Sequence, residues 1–114
     1  MKYDLKEILA LAEEGGFAVP AFNVYNVETL LGVMQAAEET GAPVIFQMYS
    51  RLFMSEEAEF IAPAIIEAIH RSPVKVAFHL DHGACDEAFY RAIKYGCNSV
   101  MRDASALPFE ENVA

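Results

Sequence analysis

His79-Leu80-Asp81-His82-Gly83 places three titratable side chains within four residues. A histidine beside an aspartate can be a metal ligand next to a general acid/base. Two more polar residues stand at comparable points of the chain: Asn23 ends one apolar-rich stretch and Asp103 lies at the exit of another. The same side chains could instead be hydrogen-bonded polar groups closing strands, and Asp103 could cap a helix. The elements that position them must decide.

Val74-Lys75-Val76-Ala77-Phe78, directly before the pentapeptide, is β-branched and apolar and predicts a buried strand. Side chains alternate across a strand, so His79 and Asp81 are expected on one face. His82 is expected on the opposite face or as the first loop residue, with Gly83 letting the backbone turn sharply. In parallel α/β proteins the carboxyl ends of strands carry the chemistry.

The rest of the chain supplies matching elements. Asp4 and Glu7 form a capping box before Leu5, Ile8, Leu9 and Ala12 at helical spacing, and Gly15-Gly16 stops that helix. Residues 17–23 predict the first strand, although Pro20 cannot donate to a ladder. Asn26 caps a helix over 27–40 with Leu30, Leu31, Met34 and Ala37 as its apolar stripe. Residues 44–48 predict the second strand and 49–54 a loop. Ser55 caps a helix over 56–70, which Pro63 should kink or open. Asp86 caps a helix running to Tyr95, residues 98–101 form the fourth strand, and Pro108 opens a last helix.

Strict alternation of this kind predicts a parallel sheet with right-handed crossovers. The first strand-to-helix turn, Asn23-Val24-Tyr25-Asn26, has no glycine fingerprint, and no Walker motif is present, which argues against a nucleotide-binding domain. The unit recurs at about 25 to 30 residues, as barrel units do, and a complete barrel needs about 250 residues. The expected fold is therefore α/β: the N-terminal half of a (β/α)8 TIM barrel, with about four parallel strands, flanking helices and an extra N-terminal helix. Its unpaired edges and uncovered inner face invite association, so a homo-oligomer is expected.

Composition narrows the partners. The chain has 114 residues, is 54% hydrophobic and carries a net charge of −9. A nucleic acid or an anionic membrane would call for a basic patch, and the eight Lys and Arg are scattered. Cys85 and Cys97 form no CxxC pair and read as reduced thiols of a cytoplasmic protein. Lys2, Asp4, Lys6 and Glu7 interrupt any apolar signal segment.

Four stretches carry a family resemblance: VPAFNVYNVETL (19–30), APVIFQ (42–47), HLDHG (79–83) and SVMRDASALPFEENVA (99–114). In this order and spacing the chain resembles the N-terminal part of a class II, zinc-dependent ketose-bisphosphate aldolase, the family of fructose- and tagatose-bisphosphate aldolases. The resemblance implies His82 as a ligand of the catalytic Zn2+ and Asp81 as the general acid/base. It implies Asp103 as a carboxylate at a second cation position and Asn23 as a substrate-binding residue. The family's small Ser or Thr after the second strand helps hold a substrate phosphate, and Ser50, one place out of register and without a glycine, is the candidate here. Arg102 stands where the family has an apolar residue. The implied substrate is a phosphorylated sugar such as fructose or tagatose 1,6-bisphosphate, cleaved to dihydroxyacetone phosphate and an aldehyde. The family's two other histidine ligands fall beyond residue 114, so this chain alone is expected to be inactive. The alternative is a non-catalytic half-barrel, truncated or degenerate, that acts as an assembly fragment.

Overall fold

A computed structural model describes residues 2–114. The first helix, α1 (Leu5–Gly15), starts as its capping box requires, with the Asp4 N–H donating to Glu7 Oε2 at 3.0 Å. It ends in a left-handed Gly16, after which the Phe17 N–H turns back to the Ala12 carbonyl at 3.0 Å. That Schellman closure takes Phe17 out of the strand predicted for it. The strand β1 is only Ala21–Asn23, because Pro20 offers the neighbouring strand a carbonyl, to Ile45 N at 3.0 Å, and no N–H.

The helix α2 spans Val27–Thr40, with the Asn26 side chain accepting from Thr29 N at 2.8 Å. Leu30, Met34 and Ala37 are buried, but Leu31 is 61% exposed and lies off the stripe. The strand β2 runs Val44–Tyr49. The predicted loop after it is instead a short helix, α3 (Ser50–Phe53). It forms because Leu52 and Phe53 are buried, the Phe53 ring lies 6.0 Å from that of Phe78, and Arg91 Nη1 donates to the Phe53 carbonyl. Ser55 closes this turn, its hydroxyl donating to the Leu52 carbonyl at 2.8 Å. The long helix α4 therefore begins later than expected, at Ala58, and continues through Pro63 to Arg71.

The strand β3 spans Val76–Gly83 and contains the whole HLDHG stretch, which the sequence pattern had put at and after its end. Cys85, not Asp86, occupies the cap position of α5 (Asp86–Lys94), and Asp86 pairs with Arg102 at 2.7 Å. The strand β4 (Ser99–Arg102) and the helix α6 (Phe109–Val113) complete the chain. All strands are parallel, in the order β1-β2-β3-β4.

The two faces of this sheet are chemically different. Val44, Phe46, Met48, Val76, Phe78 and Leu80 point outward into a core with α2, α4 and α5. Continuous apolar strands are what a parallel sheet covered by helices requires. On the inner face only the base is apolar, where Ile8 of α1 packs on Ile45 and Ala77. Above that plug the inner face turns polar. The edges stay open: Phe22 on β1 and Val100 on β4 are each 45% exposed. The smallest extent of the molecule is 18 Å, the depth of one sheet with one helical layer rather than of a closed barrel with helices on both sides. Among the described residues no helix is long and apolar enough to cross a membrane.

The thiols occupy contrasting places. Cys85 is exposed, whereas Cys97 packs against the main core and burial pushes its thiol up to about 12, with only partial relief from the Lys2 ammonium. Since the thiolate is the nucleophile, iodoacetamide should modify Cys85 in the folded protein and spare Cys97 until denaturant is added. Mass spectrometry of the modified peptides checks this, and equal labelling of both without denaturant would contradict the packing of Cys97.

Candidate active site at the carboxyl end of the sheet

The polar upper part of the inner face is built by strand register. Asn23, Gln47 and His79 are register partners across β1, β2 and β3, and Tyr49 lies level with Asp81 one pleat higher. Gln47 Nε2 donates to Asn23 Oδ1 at 2.9 Å and to Asp81 Oδ2 at 3.2 Å. Asp81 Oδ1 makes no hydrogen bond among the described residues. His79 and Asp81 share a face, as alternation requires. His79 is half-buried with Nδ1 2.7 Å from Ser99 Oγ on β4. Burial lowers its pKa against an opposing pull from Asp81.

His82 reaches the same site by an irregular route. Alternation alone would send it outward with Leu80. The register between β3 and β4 shifts between Leu80 and Gly83, and His82 takes a left-handed φ of 49°. Such a conformation costs a non-glycine residue about 1–2 kcal/mol. It swings the ring against Asp103, His82 Nδ1 donating to Asp103 Oδ2 at 2.7 Å, while Nε2 lies 3.8 Å from Asp81 Oδ1. Gly83 has a different role from the turn expected of it. Its φ is ordinary, and a Cβ there would stand 2.7 Å from the Met101 carbonyl oxygen and 2.7 Å from the Phe89 ring. Glycine is needed for β4 and α5 to close on the bulge.

The His82–Asp103 pair fixes a tautomer. A carboxylate only accepts, so Nδ1 carries the proton, and in the neutral ring the lone pair is on Nε2, beside Asp81. The hydrogen bond to Asp103, followed by the charge of Asp81, raises the His82 pKa. Hydrogen bonds from Ser105 and then His82 hold Asp103 well below the usual carboxylate range. Asp103 Oδ1 is also committed, accepting from Ser105 N at 3.0 Å and Ser105 Oγ at 2.6 Å. The expected cation-site carboxylate therefore stands behind the His82 ring as its hydrogen-bond acceptor, an arrangement that orients metal-binding histidines.

Ser50 is drawn away from the mouth. Its side chain is buried and its Oγ accepts from Ala84 N at 3.2 Å, tying the end of β2 to the turn after β3. Tyr49, 42% exposed, stands level with Asp81 instead. Gln47 and Ser99 are the residues sequence reasoning passed over. The signal was present for Gln47: it is the one polar side chain in the run from Val44 to Met48.

One feature of this constellation fits a bound divalent metal: an oriented imidazole whose Nε2 is left uncommitted. Among the described residues no three His, Cys, Asp or Glu side chains gather to hold a metal. A catalytic zinc takes three ligands from protein, and among the described residues His82 alone presents an oriented, open ring nitrogen of that kind.

Comparison with known proteins gives the same direction. The profile of the family described as class II fructose-bisphosphate aldolase matches residues 3–114. The fructose-bisphosphate aldolase of Treponema pallidum (strain Nichols) is 40% identical over 96% of this chain and 34% of its own length. A Bacillus subtilis (strain 168) protein named probable fructose-bisphosphate aldolase is 41% identical over 96% of this chain and 40% of its own. The crystal structure of the YdjI aldolase from Escherichia coli K12 superposes with a TM-score of 0.92 at 36% identity, covering 99% of this chain and 43% of that one. The chain spans 34% to 43% of the length of these three proteins, at their N-terminal portion.

Proposed function

Because the chain belongs to the class II fructose-bisphosphate aldolase family, we propose that the full-length protein is a zinc-dependent aldehyde-lyase. It cleaves a ketose (bis)phosphate, such as fructose or tagatose 1,6-bisphosphate, to dihydroxyacetone phosphate and an aldehyde. The observation that carries this reading is the uncommitted pair of Asp81 Oδ1 and His82 Nε2, 3.8 Å apart at the carboxyl end of a parallel strand. This chain supplies one half of a single eight-stranded barrel, with the open edges of β1 and β4 as its seams. The protein is cytoplasmic and a homo-oligomer, a state favoured by Phe60, Tyr90 and Ile93, which are 77%, 71% and 62% exposed on the outer helices.

The chemistry follows from the residue types. Cleavage between C3 and C4 leaves the C3–C4 electron pair on the ketone half. As that bond breaks, the C4 hydroxyl becomes the aldehyde carbonyl and must give up its proton. Asp81 Oδ1 takes that proton in cleavage and returns it in condensation. Zinc, when bound, would supply a positive charge that stabilises the negative charge developing on the ketone half, and a proton delivered to C3 by a group other than Asp81 completes dihydroxyacetone phosphate. His82 holds the metal through Nε2, with Asp103 fixing the ring, and the remaining ligands come from outside these residues. Asn23 contributes a side-chain donor to the bound sugar.

The test is cleavage of the two bisphosphates by the full-length protein before and after removal of metal. A chelator should abolish cleavage and zinc should restore it. Full activity in metal-free protein would refute the zinc dependence, and no cleavage of any ketose phosphate would refute the aldolase reading.

A further inference from the structure

We propose that Gln47 is a positioning residue: through its two amide N–H groups it fixes which oxygen of Asp81 handles the proton and which face of the Asn23 amide meets substrate. The inference rests on the aldolase reading and goes beyond it. It starts from the charge of Asp81. An ionised carboxylate only accepts, so Gln47 must turn its nitrogen, not its oxygen, toward Asp81 Oδ2, 3.2 Å away. The second N–H on that nitrogen then needs an acceptor, and Asn23 Oδ1 lies 2.9 Å away. With its oxygen turned to Gln47, Asn23 has Nδ2 on its other side, a donor suited to a sugar hydroxyl or carbonyl oxygen. One negative charge on β3 thereby sets the polarity of two amides on β2 and β1.

The same chain leaves Asp81 Oδ1 toward His82, and it stays intact when Oδ1 takes the proton, because Oδ2 remains an acceptor. Asp81 therefore gains and loses a proton without rotating. Gln47 is well suited to this because its own backbone is pinned in the sheet between β1 and β3.

The experiment uses the full-length enzyme with Gln47→Met, which keeps length and removes both donors. Misplacing a reacting group by about 1 Å can cost about 100-fold, so kcat for cleavage should fall about 10- to 100-fold. Zinc content and the thermal midpoint should stay at wild-type values. Solvent exchange of the proton beside the carbonyl of dihydroxyacetone phosphate should also persist, because that step does not use the C4 hydroxyl. The decisive arm is the same substitution in an Asp81→Asn background. There Gln47→Met should lower kcat almost no further, since the group it orients no longer takes the proton, and only the KM effect transmitted through Asn23 should remain. Unchanged cleavage in the single variant, or the same fold-loss in both backgrounds, would overturn the proposal. Parallel loss of exchange and cleavage in Gln47→Met would reduce Gln47 to a structural role. Wild-type protein lacking both exchange and cleavage would overturn the aldolase reading itself, and this inference with it.

Discussion

His82→Ala in the full-length protein is expected to lose zinc and aldol cleavage together. The left-handed turn at His82 is a local strain that yields one result, an imidazole with Nδ1 on Asp103 and Nε2 open. Removing an outer partner of a metal ligand typically costs about 10- to 100-fold in affinity or activity, and removing the ligand itself should cost more. The fold should survive, because the ring is 61% exposed and contributes nothing to either core. Alanine also finds φ = 49° unfavourable, so a second variant, His82→Asn, separates strain from ligation, asparagine being better suited to that conformation. Zinc by atomic emission and kcat on each preparation check the expectation. Stoichiometric zinc with either substitution would move the metal away from His82.

Much of the fold was legible because it rests on local signals. The alternation of elements, the capping box at Asp4, the Asn26 cap and the glycine stops all act within a turn or two of the chain. What was not legible depended on tertiary contacts. Residues 50–53 carry no strong helix signal, and they coil because Leu52 and Phe53 must reach the core while Arg91 and Ala84 hold them from α5 and the β3 exit. Phe17 looked like a strand residue but serves the end of α1.

The site divides in the same way. Asp81 and His82 could be found from residue type and position. Their partners could not, because they come from other strands: Gln47 from β2, Ser99 and Asp103 from β4 or its exit. Parallel register brings Gln47 between Asn23 and Asp81 across more than fifty residues of sequence. Gly83 differs from its sequence pattern for a related reason. A glycine after a strand suggests a turn, and here it answers to the closeness of Met101 and Phe89, which only the assembled sheet reveals. Family resemblance implies Ser50 at the mouth, and the short helix draws it inside.

Asp81→Asn carries the central claim, that two neighbouring residues divide the work, Asp81 moving the proton and His82 holding the metal. The substitution keeps shape, and Gln47 Nε2 can still donate to the asparagine oxygen. That contact turns the new amide nitrogen toward the substrate side, where it has no lone pair to accept the C4 proton. Loss of a positioned acid/base costs about 10²- to 10⁴-fold, roughly 3 to 5 kcal/mol of barrier. Zinc should be unaffected, since Asp81 is not a ligand in this account. The direct measurement is cleavage rate, zinc content and proton exchange into dihydroxyacetone phosphate on one preparation of full-length Asp81→Asn. The account predicts cleavage down by at least about 100-fold, zinc at the wild-type level and exchange largely retained. Near-normal cleavage would contradict the acid/base role, and lost zinc would make Asp81 part of the metal site.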